Sequence, residues 1–193
     1  MGRKIISVSP SFNVNEGEVD CALLILRDHK AGKREIVVAH LSEKKLHETV
    51  ILETSSRLDH IKCISNGQAV IAYSGQRVLI GTQGLGQNAL ELMQYTWREV
   101  ALPVNISCVD IRHSTTSSRV EGQSSNNKKG PIGIDLALGS SDGSILVYHD
   151  ILNFVGREEH HRGEKTVTPR RLHWHRDLVN VVRWSIDGTF LAV

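Results

Sequence analysis

Between Ile132 and Tyr148 the chain reads IGIDLALGSSDGSILVY, with apolar positions alternating on both sides of a polar break. Ile134, Leu136 and Leu138 share one side of one strand and Ile145 and Val147 one side of the next. Between them Ser141-Asp142-Gly143-Ser144 supplies residues that tolerate positive φ and bond to nearby backbone. The pattern predicts an antiparallel hairpin with one buried face. Leu178 to Val193 (LVNVVRWSIDGTFLAV) repeats it as an alternating strand, an Asp187-Gly188 turn and a second alternating strand. A weaker copy runs from His60 to Gly81, with turns at Asn66-Gly67 and Ser74-Gly75-Gln76. The first strands start near Ile61, Ile106 and Val179. The first interval is about 45 residues, and the second falls to about 40 once polar insertions at 114–131 and 156–168 are removed, which is the period of a repeated four-stranded unit.

The remaining segments fit around these copies. Residues 1–20 contain Ser-Pro, Asn and Glu-Gly and are read as a connector or cut end. Cys21 to Leu26 and Glu35 to Leu41 predict two strands, outer members of a unit that begins upstream. Ser42 to Glu53 suits either a helical turn or a strand, and its β neighbours favour the strand. Ala89 to Val100 predicts an outer strand, with a short helix as the alternative. Ile106 to Ile111 is an inner strand, with Ile106 and Cys108 or Val109 directed inward. Ser114 to Gly130 has too few apolar residues to offset its ordering entropy and predicts a mobile excursion. Val167 to His173 supplies an outermost strand.

The segments LALGSSDGSILVY and WHRDLVNVVRWSIDGTFLAV resemble WD40 repeats, with Trp174-His175 standing where Gly-His is usual. YHDILN followed by TPRRLHWHRDLVNVVRWS is similar to a narrower group, the WD-repeat subunit of the UTP-A subcomplex of the small-subunit processome. The resemblance implies an all-β fold: a partial WD40 β-propeller over 21–193, about three blades of four antiparallel strands in an incomplete ring, with exposed edges and apolar faces. It places Ser140, Asp142 and Tyr148 at structural positions of one repeat, with Tyr148 replacing Trp, and His175, Trp184 and Asp187 at those of the next. His175 would bond a turn Asp. The corresponding His before Ile106 is missing. The resemblance also implies a nucleolar role in supporting pre-rRNA transcription and processing of 18S rRNA. Other UTP-A subunits, processome proteins and the 5′ external transcribed spacer of pre-rRNA are the implied partners. A propeller adaptor recognising a peptide, as in ubiquitin-ligase or chromatin complexes, is the alternative.

Composition narrows the classes. With 40% hydrophobic and 23% charged residues among 193, the chain is expected to bury a sizeable core. No apolar run is long enough for a membrane span and no signal-peptide core follows Arg3 and Lys4, so an intracellular setting without a membrane partner is expected. Cys21, Cys63 and Cys108 lie far apart in apolar patterns and read as buried thiols. A net charge of +2 does not by itself indicate a nucleic-acid binder. Arg157, Arg162, Arg170 and Arg171 give a mild local basic bias, and with Lys128 and Lys129 they are candidate RNA or partner contacts.

Catalytic patterns are absent. Gly81 to Gly86 lacks the Lys-Ser/Thr of a phosphate loop and reads as a surface loop. Gly139-Ser140-Ser141-Asp142-Gly143 lies in a hairpin turn, not on a nucleophile elbow. His160-His161 and His173-x-His175 have no carboxylate or thiol at matching ligand spacing, so no metal and no cofactor is expected. Trp97, Trp174 and Trp184 read as packing residues.

Overall fold

The computed structural model describes residues 4–15, 18–29, 32–42, 45–64, 69–83, 95–114, 133–151, 169–173, 175–185, 187–189 and 191–193, with side chains except at 11–15, 18–21, 41 and 42. The described elements are strands, arranged as antiparallel sheets in two compact units, Met1–Pro103 and Val104–Val193. In the first unit, β1 (Ile5–Asn15), β2 (Glu18–Asp28), β3 (Arg34–Ser42) and β4 (Lys45–Thr54) form one sheet in chain order. A second sheet follows in chain order with β5 (His60–Cys63), β6 (Ala69–Ser74), β7 (Arg77–Gln83) and β8 (Tyr95–Ala101). In the second unit, β9 (Ile106–His113), β10 (Ile134–Ser140), β11 (Ser144–Tyr148) and β12 (Arg170–His173) make a third meander, and β13 (Arg183–Trp184) pairs with β14 (Leu191–Ala192).

The expected connector at 1–20 is corrected: residues 5–15 are β1, paired along β2 from Ile5↔Arg27 to Asn15↔Glu18. Its apolar and polar residues alternate, and Ser7 and Ser9 turn toward β5 while Val8 is exposed. Their hydroxyls accept the amides of Ile61 and Cys63, each at 3.2 Å, which satisfies backbone donors at a strand edge. Cys21 to Leu26 and Glu35 to Leu41 therefore belong to central strands of a four-stranded sheet, and Ser42 to Glu53 is largely strand, as favoured.

One face of the first sheet carries Leu24, Leu26, Ile36 and Val38, which pack with Leu58, Ile61, Val70, Ala72 and Leu79. Burying each such side chain stabilises by about 1.5–3 kcal/mol. Trp97 joins this core and donates its indole N–H to Ile51 O at 3.0 Å. Its ring lies over Gly81, the residue opposite it, where a Cβ would stand 2.8 Å from the indole.

The hairpin predicted around Ile134 to Val147 is present as β10–β11, but the single buried face is corrected. Every residue of both strands is buried, as expected of strands enclosed within a layered sheet rather than at a surface. Leu178 to Val182 is likewise not a strand. The Val179 amide donates to Ser140 O and its carbonyl accepts from Ser107 Oγ, so its polar groups serve the third sheet instead of a ladder. Val179 and Val182 pack on Ala137, Ile145 and Val147. Cys63 and Cys108 are unbridged and half-buried rather than fully enclosed.

Gly139 permits the approach of Leu178 to Val182: a Cβ there would lie 2.5 Å from both Cys108 Sγ and Val179 Cγ1. Gly139→Ala is expected to lower stability by about 2 kcal/mol through overpacking, read as a reduced urea midpoint with an unchanged slope.

Candidate functional site

Two hairpin turns in the second unit share one construction. In the β10–β11 turn, Gly143 takes φ 82°, and Asp142 accepts from the Ser140 hydroxyl, the Ser144 amide at 2.9 Å and the Ser144 hydroxyl at 2.5 Å. In the β13–β14 turn, Gly188 takes φ 70°, and Asp187 accepts from the Ser185 hydroxyl at 2.6 Å, the Thr189 amide at 3.1 Å and the Thr189 hydroxyl at 2.8 Å. Ser-x-Asp-Gly-Ser/Thr folds this way because the short carboxylate reaches the amide two residues on while glycine accepts the left-handed backbone. Asp142 and Asp187 stand 45 positions apart.

These bonds favour the ionised form. The Ser140 hydroxyl, then Ser144 and Arg171, holds Asp142 far below the usual carboxylate range. Ser185, then Thr189, brings Asp187 down to about 2. Arg171 Nη2 reaches Asp142 Oδ2 at 2.9 Å and His173 Nε2 lies 3.2 Å from Asp142 O, tying β12 to the turn.

His175 does not take the role implied by the resemblance: it is exposed, and Asp142 and Asp187 are held by the hydroxyls and, for Asp142, by Arg171. Its backbone matters instead, since a Cβ at Gly143 would run into His175 O. Tyr148 is buried, and burial raises its phenol pKa. Trp184 is half-buried beneath the Arg112 guanidinium, 4.1 Å from the ring centroid. Arg170 is exposed, and Arg171 is engaged with Asp142. Trp174, Lys128, Lys129, Arg157, Arg162, His160, His161 and the Gly84–Gly86 part of the glycine loop lie outside the described residues.

The central polar group of this unit was missed in the sequence. Arg112 on β9 stands directly opposite Asp135 on β10 and donates to Asp135 Oδ2 from Nε at 3.0 Å and Nη2 at 2.8 Å. Arg112 Nη1 also donates to Gly188 O, while Asp135 Oδ1 accepts the Asp150 amide at 3.0 Å. Nearby, Asp110 Oδ2 accepts the Trp184 amide at 2.7 Å. The group thus joins β9, β10 and the β13–β14 hairpin. A carboxylate inside each apolar run, ISCVDI and IGIDLAL, was the available signal, since a buried charge requires a partner.

Chemically, the arrangement braces turns and register. His29, Glu35 and Glu53 on the first sheet are the described His/Cys/Asp/Glu group whose ligand atoms converge, a place the histidine spacing did not indicate. No protein-family model matches the chain, and no curated protein matches it.

Arg112→Ala is expected to cost about 3 kcal/mol or more, because Asp135 is 2% exposed and would lose its countercharge. Chemical denaturation measures it. Asp187, whose folded pKa lies below 3.8, contributes stability above that value and loses it as pH falls toward about 2. The denaturation midpoint of Asp187→Asn should therefore fall below the parent's at neutral pH and converge with it near pH 2.

Proposed function

We propose that this chain is a non-catalytic scaffold: part of a WD40-type propeller whose sheets and edges dock other macromolecules. The observation that carries the reading is the recurrence of the Ser-x-Asp-Gly-Ser/Thr turn after 45 residues, set among antiparallel four-stranded meanders. A second feature supports it. The exposed large apolar residues among those described are Ile5, Val8, Leu23, Leu46 and Val50 on the first sheet, and Leu178, Val181 and Val193 around β13–β14. Those of the first sheet share the face opposite its core, as the register pairs Val8 with Ile25, Leu23 with Ala39 and Val50 with Val37. Apolar faces of this kind are suited to further sheets.

Within that class, the reading supported by the resemblance of the Arg170–Trp184 region is a role in nucleolar ribosome biogenesis, as a subunit acting with UTP-A and other processome proteins on the 5′ external transcribed spacer and supporting 18S rRNA maturation. Arg170, exposed on edge strand β12, is one described basic residue open to such a partner.

Affinity purification of the tagged protein from its own cells tests the assignment. Co-recovery of processome proteins and pre-rRNA, together with accumulation of 18S precursors on depletion, is the expected result. Recovery of ligase subunits or histones with normal 18S maturation would replace it with the adaptor reading.

A further inference from the structure

On the first sheet, three cross-strand neighbours bring charge together. Arg27 on β2 lies opposite Glu35 on β3, and Glu35 opposite Glu53 on β4. Arg27 Nε donates to Glu35 Oε1 at 2.5 Å and its Nη1 reaches Glu48 Oε2 at 2.9 Å. Glu53 shares in neither contact. Two carboxylates directly opposite one another destabilise a sheet unless a cation lies between them. Here Glu35 is 1% exposed, so water does little to screen it. Glu35 and Glu48 both contact the Arg27 guanidinium, and Glu53 stands opposite Glu35 on the neighbouring strand.

His29 adds an independent observation. It follows β2 and brings Nδ1 to 3.1 Å from Glu35 Oε2, close enough for an ion pair. Yet that nitrogen is out of contact with solvent and makes no hydrogen bond, so its approach is not that of an aligned N–H donor. The ring nitrogen and the carboxylate oxygen thus lie side by side with no hydrogen bond between them. The ligand atoms of His29, Glu35 and Glu53 all lie within 4.8 Å of one another. Tetrahedral zinc with bonds of about 2.0–2.2 Å holds its ligands about 3.4 Å apart, which small side-chain rotations reach.

We propose that His29 Nδ1, Glu35 and Glu53 bind a divalent ion of the zinc class, with water completing the coordination. Arg27 orients the Glu35 carboxylate from its other oxygen, as hydrogen-bonded partners do for ligating carboxylates. The imidazole selects zinc over magnesium and calcium, which prefer all-oxygen sites. The ion would pin the end of the β2–β3 hairpin to edge strand β4.

Calorimetric titration of the metal-stripped full chain with Zn²⁺, paired with the visible spectrum on adding Co²⁺, tests this. One saturable zinc equivalent and a four-coordinate cobalt spectrum are expected, with magnesium giving neither. His29→Gln and Glu53→Gln, whose strand content is checked by circular dichroism, should each weaken zinc binding at least about tenfold. His47→Ala, in the stacked His40–His47 pair across β3 and β4, should leave it unchanged. Absence of saturable binding, undiminished affinity in both glutamine variants, or loss in His47→Ala would overturn the site.

Discussion

A β-sheet that is apolar on both faces has no stable surface of its own; something must lie against each side. The fold follows from that constraint. β6 and most of β7 are buried, as are β10 and β11 throughout, including residues of both alternating sets. In the first sheet, β3 is buried at both alternating sets from Glu35 to Ala39, while Val8, Leu23 and Val50 on the neighbouring strands are exposed on the face opposite the core. Where both faces are covered, sequence alternation loses its force and continuous runs such as IDLALGS and AVIAYS result.

Burial on this scale makes register expensive to get wrong. Both units carry a cross-strand arginine–carboxylate pair in a sheet interior, Arg27 with Glu35 and Arg112 with Asp135. The net contribution of such a pair to stability is small, since desolvation offsets much of the attraction. Its effect on alternatives is larger. A one-residue slip of β10 along β9 would set Asp135 opposite Ile111 or His113 and turn its apolar set to the other face, leaving a buried carboxylate without its guanidinium. The ion pairs therefore specify alignment, while side-chain burial supplies most of the energy.

The division between what the residues disclosed and what they hid follows the same physics. Alternation bounded by turn residues is local, so β2, β3, β6, β7, β10 and β11 were legible, as was the Asp142 turn. β1 was obscured because its polar set, Ser7 and Ser9, faces inward to satisfy β5 amides while Val8 is exposed, reversing the usual sense. Leu178 to Val182 reads as a strand by alternation, yet the residues that pack inward are Val179 and Val182, three positions apart, while Leu178 and Val181 are exposed. Whether a backbone joins a ladder is decided by its neighbours, here Ser140 and Ser107. Arg112–Asp135 and the His29 group stayed hidden for a related reason: their members are 23 residues apart in one case and lie on three segments in the other, and only strand register brings them together.

The two aspartate turns weigh differently as evidence. A Ser-x-Asp-Gly turn satisfies its own polar groups and can cap any hairpin, so one copy says little about a repeat. The surroundings of these copies diverge: Asp142 is reinforced by Arg171 from β12, whereas Asp187 is held by Ser185 and Thr189. The shared element is the turn, and the added brace is the third neighbour on the edge. What links them is the separation of 45 residues, enough chain for the intervening β11 and β12 and the approach to β13. The turn chemistry explains how each hairpin closes without requiring that the two be related, one lying in a four-stranded sheet and the other in a two-stranded pair.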